Sequence, residues 1–256
     1  MFIIKLPGTV LKIVRVSDGR ARTSSPKETD VLRGGTMKVK ETVKRYFIFF
    51  IGLFFNAFGV AFTTRALLGA SPIAAIPYSL SLIVPRWTMG NYVIVFNILL
   101  VLLQWMILGK NAKKVELALQ AVMVFLFGYF TDFSLFVLKG LVPGNYAVKL
   151  ILLVIGCGIL AFGVYFELIG NVVMLPGNGF PKALSEKLHR NYGTVRMFSD
   201  ITMTVIAGIL CLVFLKKLSG VREGTIIAAF LVGNIVTLWN KIFAKPAEML
   251  KKWILK

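Results

Sequence analysis

Long apolar runs separated by short basic or Pro/Gly-rich joints set the pattern of this chain. Read for helical spans, the runs fall at about 46–66, 90–108, 115–138, 148–169, 196–215 and 225–243. Each is near the ~20 residues that a membrane-crossing helix needs. Two further segments are interrupted. Residues 69–84 carry Ser71, Pro72 and Pro77, and Ser before Pro predicts a helix start with Ser71 as N-cap and Pro72 in the first turn. Residues 171–190 carry Pro176, Gly177, Asn178, Gly179 and Pro181, after which Phe180, Leu184 and Leu188 form the apolar stripe of a short amphipathic helix too polar to span lipid alone. The expected fold class is all-α: a polytopic transmembrane helical bundle of two homologous halves with Pro/Gly-interrupted, re-entrant or broken helices.

The halves are legible as a repeat. Ala57-Phe58-Gly59-Val60-Ala61-Phe62 returns as Ala161-Phe162-Gly163-Val164-Tyr165-Phe166. Pro72 and Pro77 fall on Pro176 and Pro181, Gly90 on Gly193, Asn97 on Asp200, and Phe125-Leu126-Phe127-Gly128 on Phe230-Leu231-Val232-Gly233. This divides the chain into an N-terminal extension 1–36, a first membrane repeat 37–145, a second repeat 146–243 and a basic C-terminal tail 244–256. The extension is polar from Ser17 to Gly35 and reads as disordered, with Met37 a candidate native start.

Hydrophobic residues make up 57% of the chain, above the ~45–50% typical of soluble domains. The formal net charge of +19 raises nucleic acid as a partner. Its distribution does not: the cations lie in the N-terminal segment, short loops and tail, as retention on the cytoplasmic face requires, without a nucleic-acid motif. Loop charge also bears on topology. Three crossings per half, with the interrupted segments returning to their own side, put residues 38–45, 110–114 and 182–196 and the tail in the cytoplasm, against Lys216, Lys217 and Arg222. Four crossings per half put both the 110–114 and 216–222 turns outside. The first count, with inverted halves, fits better.

Several motifs resemble the bacterial YczE/YitT group of uncharacterised integral membrane proteins. They are Gly52-Leu53-Phe54-Phe55-Asn56-Ala57-Phe58-Gly59-Val60-Ala61, Leu68-Gly69-Ala70-Ser71-Pro72, Pro77-Tyr78, Met89-Gly90, Phe96-Asn97, Val172-Val173-Met174-Leu175-Pro176-Gly177 and Glu223-Gly224-Thr225-Ile226-Ile227-Ala228-Ala229. The resemblance covers about residues 46–240. It implies a multi-pass protein of the bacterial cytoplasmic membrane and supplies no catalytic residues.

Candidate chemistry is sparse. Arg65 and Glu167 stand at near-equivalent positions and either meet between the halves or face headgroups and water. Asp200 is either an ion-coupling carboxylate or the i+4 partner of Arg196. Asp132 is expected at the outer interface. The starts of the interrupted helices, with Ser71 on one and the Gly177–Gly179 backbone on the other, are either anion-binding ends or structural kinks. His189 reads as a solvated loop residue, and Cys157 and Cys211 as packing thiols. No nucleotide-binding loop, catalytic triad or metal-ligand spacing is present, so neither cofactor, metal nor enzymatic activity is expected.

The expectation is a secondary transporter or permease for a small solute, an anion among the candidates. Its site is formed by Arg65, Ser71, Asn97, Glu167, Gly177, Asn178 and Asp200. Expected partners are membrane lipid and that solute, not nucleic acid; a homo-oligomer is compatible with the pattern. The alternatives are a non-transporting accessory or regulatory scaffold and, third, a membrane enzyme.

Overall fold

The computed structural model describes residues 39–255. The expected N-terminal extension, 1–36, and the candidate start at Met37 lie outside the described residues. Nine α-helices follow in order, and no strand occurs among the described residues. They are α1 Val39–Arg65, α2 Pro72–Ile83, α3 Met89–Leu108, α4 Lys114–Val137, α5 Tyr146–Gly170, α6 Pro176–Leu188, α7 Tyr192–Leu210, α8 Glu223–Ile242 and α9 Ala244–Leu255. The chain is an all-α transmembrane bundle. Five helices are long and apolar enough to cross a membrane; α2 and the apolar part of α8, Glu223–Trp239, are shorter.

Polar caps set several boundaries. Thr88 Oγ1 accepts from Asn91 N at 3.2 Å to open α3. Asn145 Oδ1 accepts from Val148 N at 2.9 Å for α5, and Asn191 Oδ1 from Gly193 N at 2.8 Å for α7. Each satisfies a donor that the first helical turn leaves without a backbone partner. Helix α5 ends at Asn171 and α6 at His189, both with left-handed backbone. The last turn of α7 widens into a π-helical turn, Cys211–Leu215.

Two expectations are corrected. The first helix starts at Val39 rather than near residue 46, because its basic lead is helical and held by the Glu41–Arg45 pair at i,i+4, 2.9 Å apart. Helix α6 starts at Pro176, ahead of the expected amphipathic stripe, since Pro suits a first turn. The basic tail is largely helical. In α9, Ile254 is buried in a cluster with Ile48, Tyr165 and Ile169, and Lys44 Nζ donates to the Trp253 carbonyl at 2.8 Å.

The centre of the bundle is a seam between α1 and α5. Gly170 lies against Arg45 and Phe49, Gly52 against Gly163 and Glu167, Gly59 against Leu160, and Gly156 against Thr63. Position numbers rise on one helix as they fall on the other, so the two run antiparallel. A Cβ on Gly52 would stand 2.7 Å from the backbone N of Glu167, and one on Gly156 2.9 Å from that of Thr63. Small residues are what let two membrane helices approach this closely.

Helices α3 and α4 are likewise antiparallel, with Gly90 beside Asp132, Ile94 beside Gly128 and Gln104 beside Gln120. The C-terminal turns of α4 lie beside both the end of α1, through Arg65 and Leu135, and the start of α3, through Asp132 and Gly90. Helix α2 therefore begins and ends its excursion at one end of the bundle, the Arg65 end. Helix α6 does the same at the opposite, Lys44 end. The chain leaves α5 there beside Arg45, and α7 runs from there to Cys211, which meets Ser79 of α2 near Gly220. Helix α4 packs on α1 and α8 on α5; α2 packs on α7 and α3 on α6.

Candidate functional site

The two short helices start inside the bundle. Helix α2 opens with Ser71 as N-cap and Pro72 in its first turn. Helix α6 opens with Leu175 as N-cap and Pro176 in its first turn. Their first turns meet: the side chain of Ile73 occupies the space a Cβ on Gly177 would need. The absent Cβ leaves room for the Ile73 side chain there. Two helix N-termini, each with donor N–H groups and a positive dipole end, are thus directed into one region of an apolar core.

Ser71 stands out chemically. It is 4% exposed, and its hydroxyl makes neither the N-cap bond expected of its position nor any other hydrogen bond. A buried hydroxyl without a partner is costly and usually waits for a ligand or water. A water or a solute oxygen at this helix start would satisfy it.

Asn178 and Asp200 are brought together, through Arg196. The Arg196 guanidinium donates to Asp200 Oδ2 at 3.0 Å and also to Asn178 Oδ1 and the Tyr192 hydroxyl. Asp200 is thus half of a partly buried i,i+4 pair that ties α7 to the start of α6. Asn97, its counterpart in the repeat, is 7% exposed and donates to the Val93 carbonyl of its own helix at 2.9 Å.

Arg65 and Glu167 do not meet. They lie toward opposite ends of the bundle because α1 and α5 run antiparallel. Arg65 Nη2 donates to the Leu135 carbonyl at 3.0 Å, while its Nε is buried without a partner. Glu167 is 7% exposed and sits in the glycine seam, where Oε1 accepts from Asn56 Nδ2 at 2.8 Å. No ion pair involves Glu167 among the described residues.

Sequence reasoning missed three features. Asp132 is not merely at an interface: its Oδ1 accepts from Gly90 N at 2.7 Å and so caps α3 from a neighbouring helix. The turn after α1 docks on the turn before α8, with Gly224 N donating to the Leu68 carbonyl at 2.9 Å and Gly69, at φ +94°, against Thr225. Most important, Gln104 and Gln120 are both 2% exposed and share a hydrogen bond at 3.1 Å. They lie beside Gly179 in a crevice of about 120 Å³ between α3, α4 and α6, at the Lys44 end. Two carboxamides within otherwise apolar helices were a signal available in the sequence. Among the described residues, no three His, Cys, Asp or Glu side chains gather into a metal-binding group.

Neither a curated protein nor a solved structure matches this chain. A family model does, over residues 43–241, which is most of the chain and takes in every helix from α2 to α7. The chain belongs to the family of unknown function DUF6198.

Proposed function

We propose that this protein is a secondary transporter of the bacterial cytoplasmic membrane, built from two inverted halves at about 37–145 and 146–243 and moving a small polar solute by alternating access. The observation that carries the reading is the buried, unpartnered hydroxyl of Ser71 at the start of a half-helix that meets the first turn of a second half-helix inside the bundle. Paired broken helices of this kind, their N-termini aimed at one point, form substrate sites in many carriers.

The packing supports inverted halves. Under the repeat offset, the contact of Gly52 with Glu167 corresponds to that of Gly156 with Thr63, and the contact of Gly59 with Leu160 to that of Gly163 with Asn56. The cluster of Leu68, Leu153, Cys157 and Ala228 likewise mirrors that of Val172, Phe49, Leu53 and Met123. Lys113 and Lys182 line one crevice at the end that carries Lys44, and the positive-inside rule makes such an end cytoplasmic. The narrower likeness to the YczE/YitT group is part of the same proposal.

Purified full-length chain in proteoliposomes tests the reading. Labelled amino acids, carboxylates and amides serve as probes, with the Ser71→Ala variant beside the natural chain. Saturable uptake that Ser71→Ala abolishes in a protein of unchanged stability is the expected result. Absence of uptake across the panel favours the second reading, a non-transporting accessory scaffold. One observation speaks for that reading: the backbone-tight seam of α1 and α5 resists the rocking of one half on the other. Glu167 and Asp200 are the candidates for ion coupling within the carrier reading.

A further inference from the structure

The crevice at the Lys44 end is lined by side chains whose bonding is incomplete. The bond between Gln104 and Gln120 runs from Nε2 of the first to Oε1 of the second. Oε1 of Gln104 and Nε2 of Gln120 make no hydrogen bond to another side chain or backbone group among the described residues, and both glutamines line the crevice. A linked pair of carboxamides thus presents one acceptor and one donor side by side. Gly179 makes the room: a Cβ there would stand 2.6 Å from Oε1 of Gln104 and 3.2 Å from Nε2 of Gln120.

The mouth adds a second selection. Lys113 and Lys182 stand at it with Glu116 and Glu186, two cations against two anions. No ion pair joins them to one another. A balanced rim gives neither a lone anion nor a lone cation a net field, while it can pair both ends of a zwitterion. The amide floor has the same preference, because an isolated charge desolvated there would lack a counter-charge. The crevice has a volume of only about 120 Å³, so the occupant is small.

We propose that the Gln104–Gln120 crevice is a binding site for small solutes of zero net charge that carry a hydrogen-bond donor and acceptor within reach of each other, as a primary amide or a short zwitterionic amino acid does. The ligand donates to Oε1 of Gln104 and accepts from Nε2 of Gln120. The site is separate from the Ser71 hydroxyl, which is not among its lining residues. It does not require that the protein transport anything.

The test is binding to purified full-length protein in detergent, read as the shift in unfolding temperature with glycine, acetamide, acetate or methylammonium, since a ligand selective for the folded state stabilises it by mass action. Glycine, acetamide or both should give a saturable shift that acetate and methylammonium do not; the stronger of the two shows whether the site takes zwitterions or amides. Two variants locate the site. Gln104→Leu with Gln120→Leu removes both carboxamides together, so neither is left unpaired, and should weaken binding by about tenfold or more. Gly179→Ala should weaken it by filling the space. Gly158→Leu, with open space around its Cβ, should leave it unchanged, and Ser71→Ala tells binding in the crevice from binding at the start of α2. Equal shifts from all four probes, no shift from any, or binding that survives the double variant but not Ser71→Ala would each overturn the proposal. The last of these would leave the carrier reading standing.

Discussion

The seam between α1 and α5 and the meeting point of α2 and α6 use glycine in the same way and polar groups in opposite ways. In both, a missing Cβ lets one element press on another: Gly52, Gly59, Gly156 and Gly163 in the seam, Gly177 at the half-helices. In the seam the polar side chains have partners: Glu167 has Asn56, and Thr63 donates to the Val60 carbonyl at 2.9 Å. At the half-helices the Ser71 hydroxyl has none. A region built only to hold would bury apolar or bonded groups, as the seam does. Incomplete bonding beside helix N-termini is what a ligand site looks like before its ligand arrives.

The comparison breaks most visibly in the seam. Gly163→Leu must push against the backbone of Asn56, and overpacking of this kind costs about 1–3 kcal/mol or more. The expected result is a large drop in unfolding temperature in detergent. Gly158→Leu, on the same helix with nothing within 4 Å of a Cβ, should leave it nearly unchanged. Equal effects would mean that the seam is not the tight element of the bundle.

Next comes Glu167. Glu167→Ala leaves the Asn56 amide buried without its acceptor, at about 1–3 kcal/mol, whereas Glu167→Gln keeps an acceptor and should cost far less. Thermal stability of the two variants separates hydrogen bonding from charge. If Glu167→Gln keeps its stability but loses the pH or sodium dependence of uptake, the seam carboxyl couples ions as well as holding helices.

Asp200→Asn removes one charge of a partly buried pair with Arg196, and a pair of that exposure contributes no more than about 1 kcal/mol. The expected stability change is small. Uptake whose driving-ion dependence is unaltered by Asp200→Asn would assign this carboxylate to fixing Arg196 against Asn178 and leave coupling to Glu167.

The smallest effect on stability is expected at Ser71. An N-cap serine ordinarily contributes about 1 kcal/mol, but this one makes no cap bond, so Ser71→Ala should change the unfolding temperature little or raise it. Its effect on solute binding or uptake should be large. A stability loss as great as that of Glu167→Ala would place Ser71 with the seam, as a structural group.

Orientation can be checked independently. With Cys157 and Cys211 replaced, a single cysteine at position 113 or 187 should label from the cytoplasm and one at 145 from outside. Outside labelling at 113 would overturn the assignment of the Lys44 end.

Much of the fold was legible because a membrane helix states itself locally. Apolar length predicts spans, and Ser71-Pro72 marks a helix start to within a residue, since a cap and a first-turn proline act within one turn. The Arg196–Asp200 pair was likewise legible, being four residues apart on one helix. Of the two readings of Arg65 and Glu167, a meeting between the halves does not occur, because equivalent positions in two antiparallel helices lie at opposite ends. The Asp132 cap on α3 and the Gln104–Gln120 pair join separate helices, and nothing in the local pattern encodes that.

What the sequence alone determined, then, was the family of elements: which stretches are helical, where two of them break, and which end of each carries the cations. Those follow from hydrophobic length, proline and charge, which act over a single turn or a single span. The tertiary structure decided which helices touch, and with that which polar groups are satisfied. Glu167 found Asn56 and Asp200 kept Arg196, while Ser71 was buried with nothing to bond. Whether a polar group has a partner depends on atoms from distant parts of the chain arriving within about 3 Å, a condition that only the packed bundle sets.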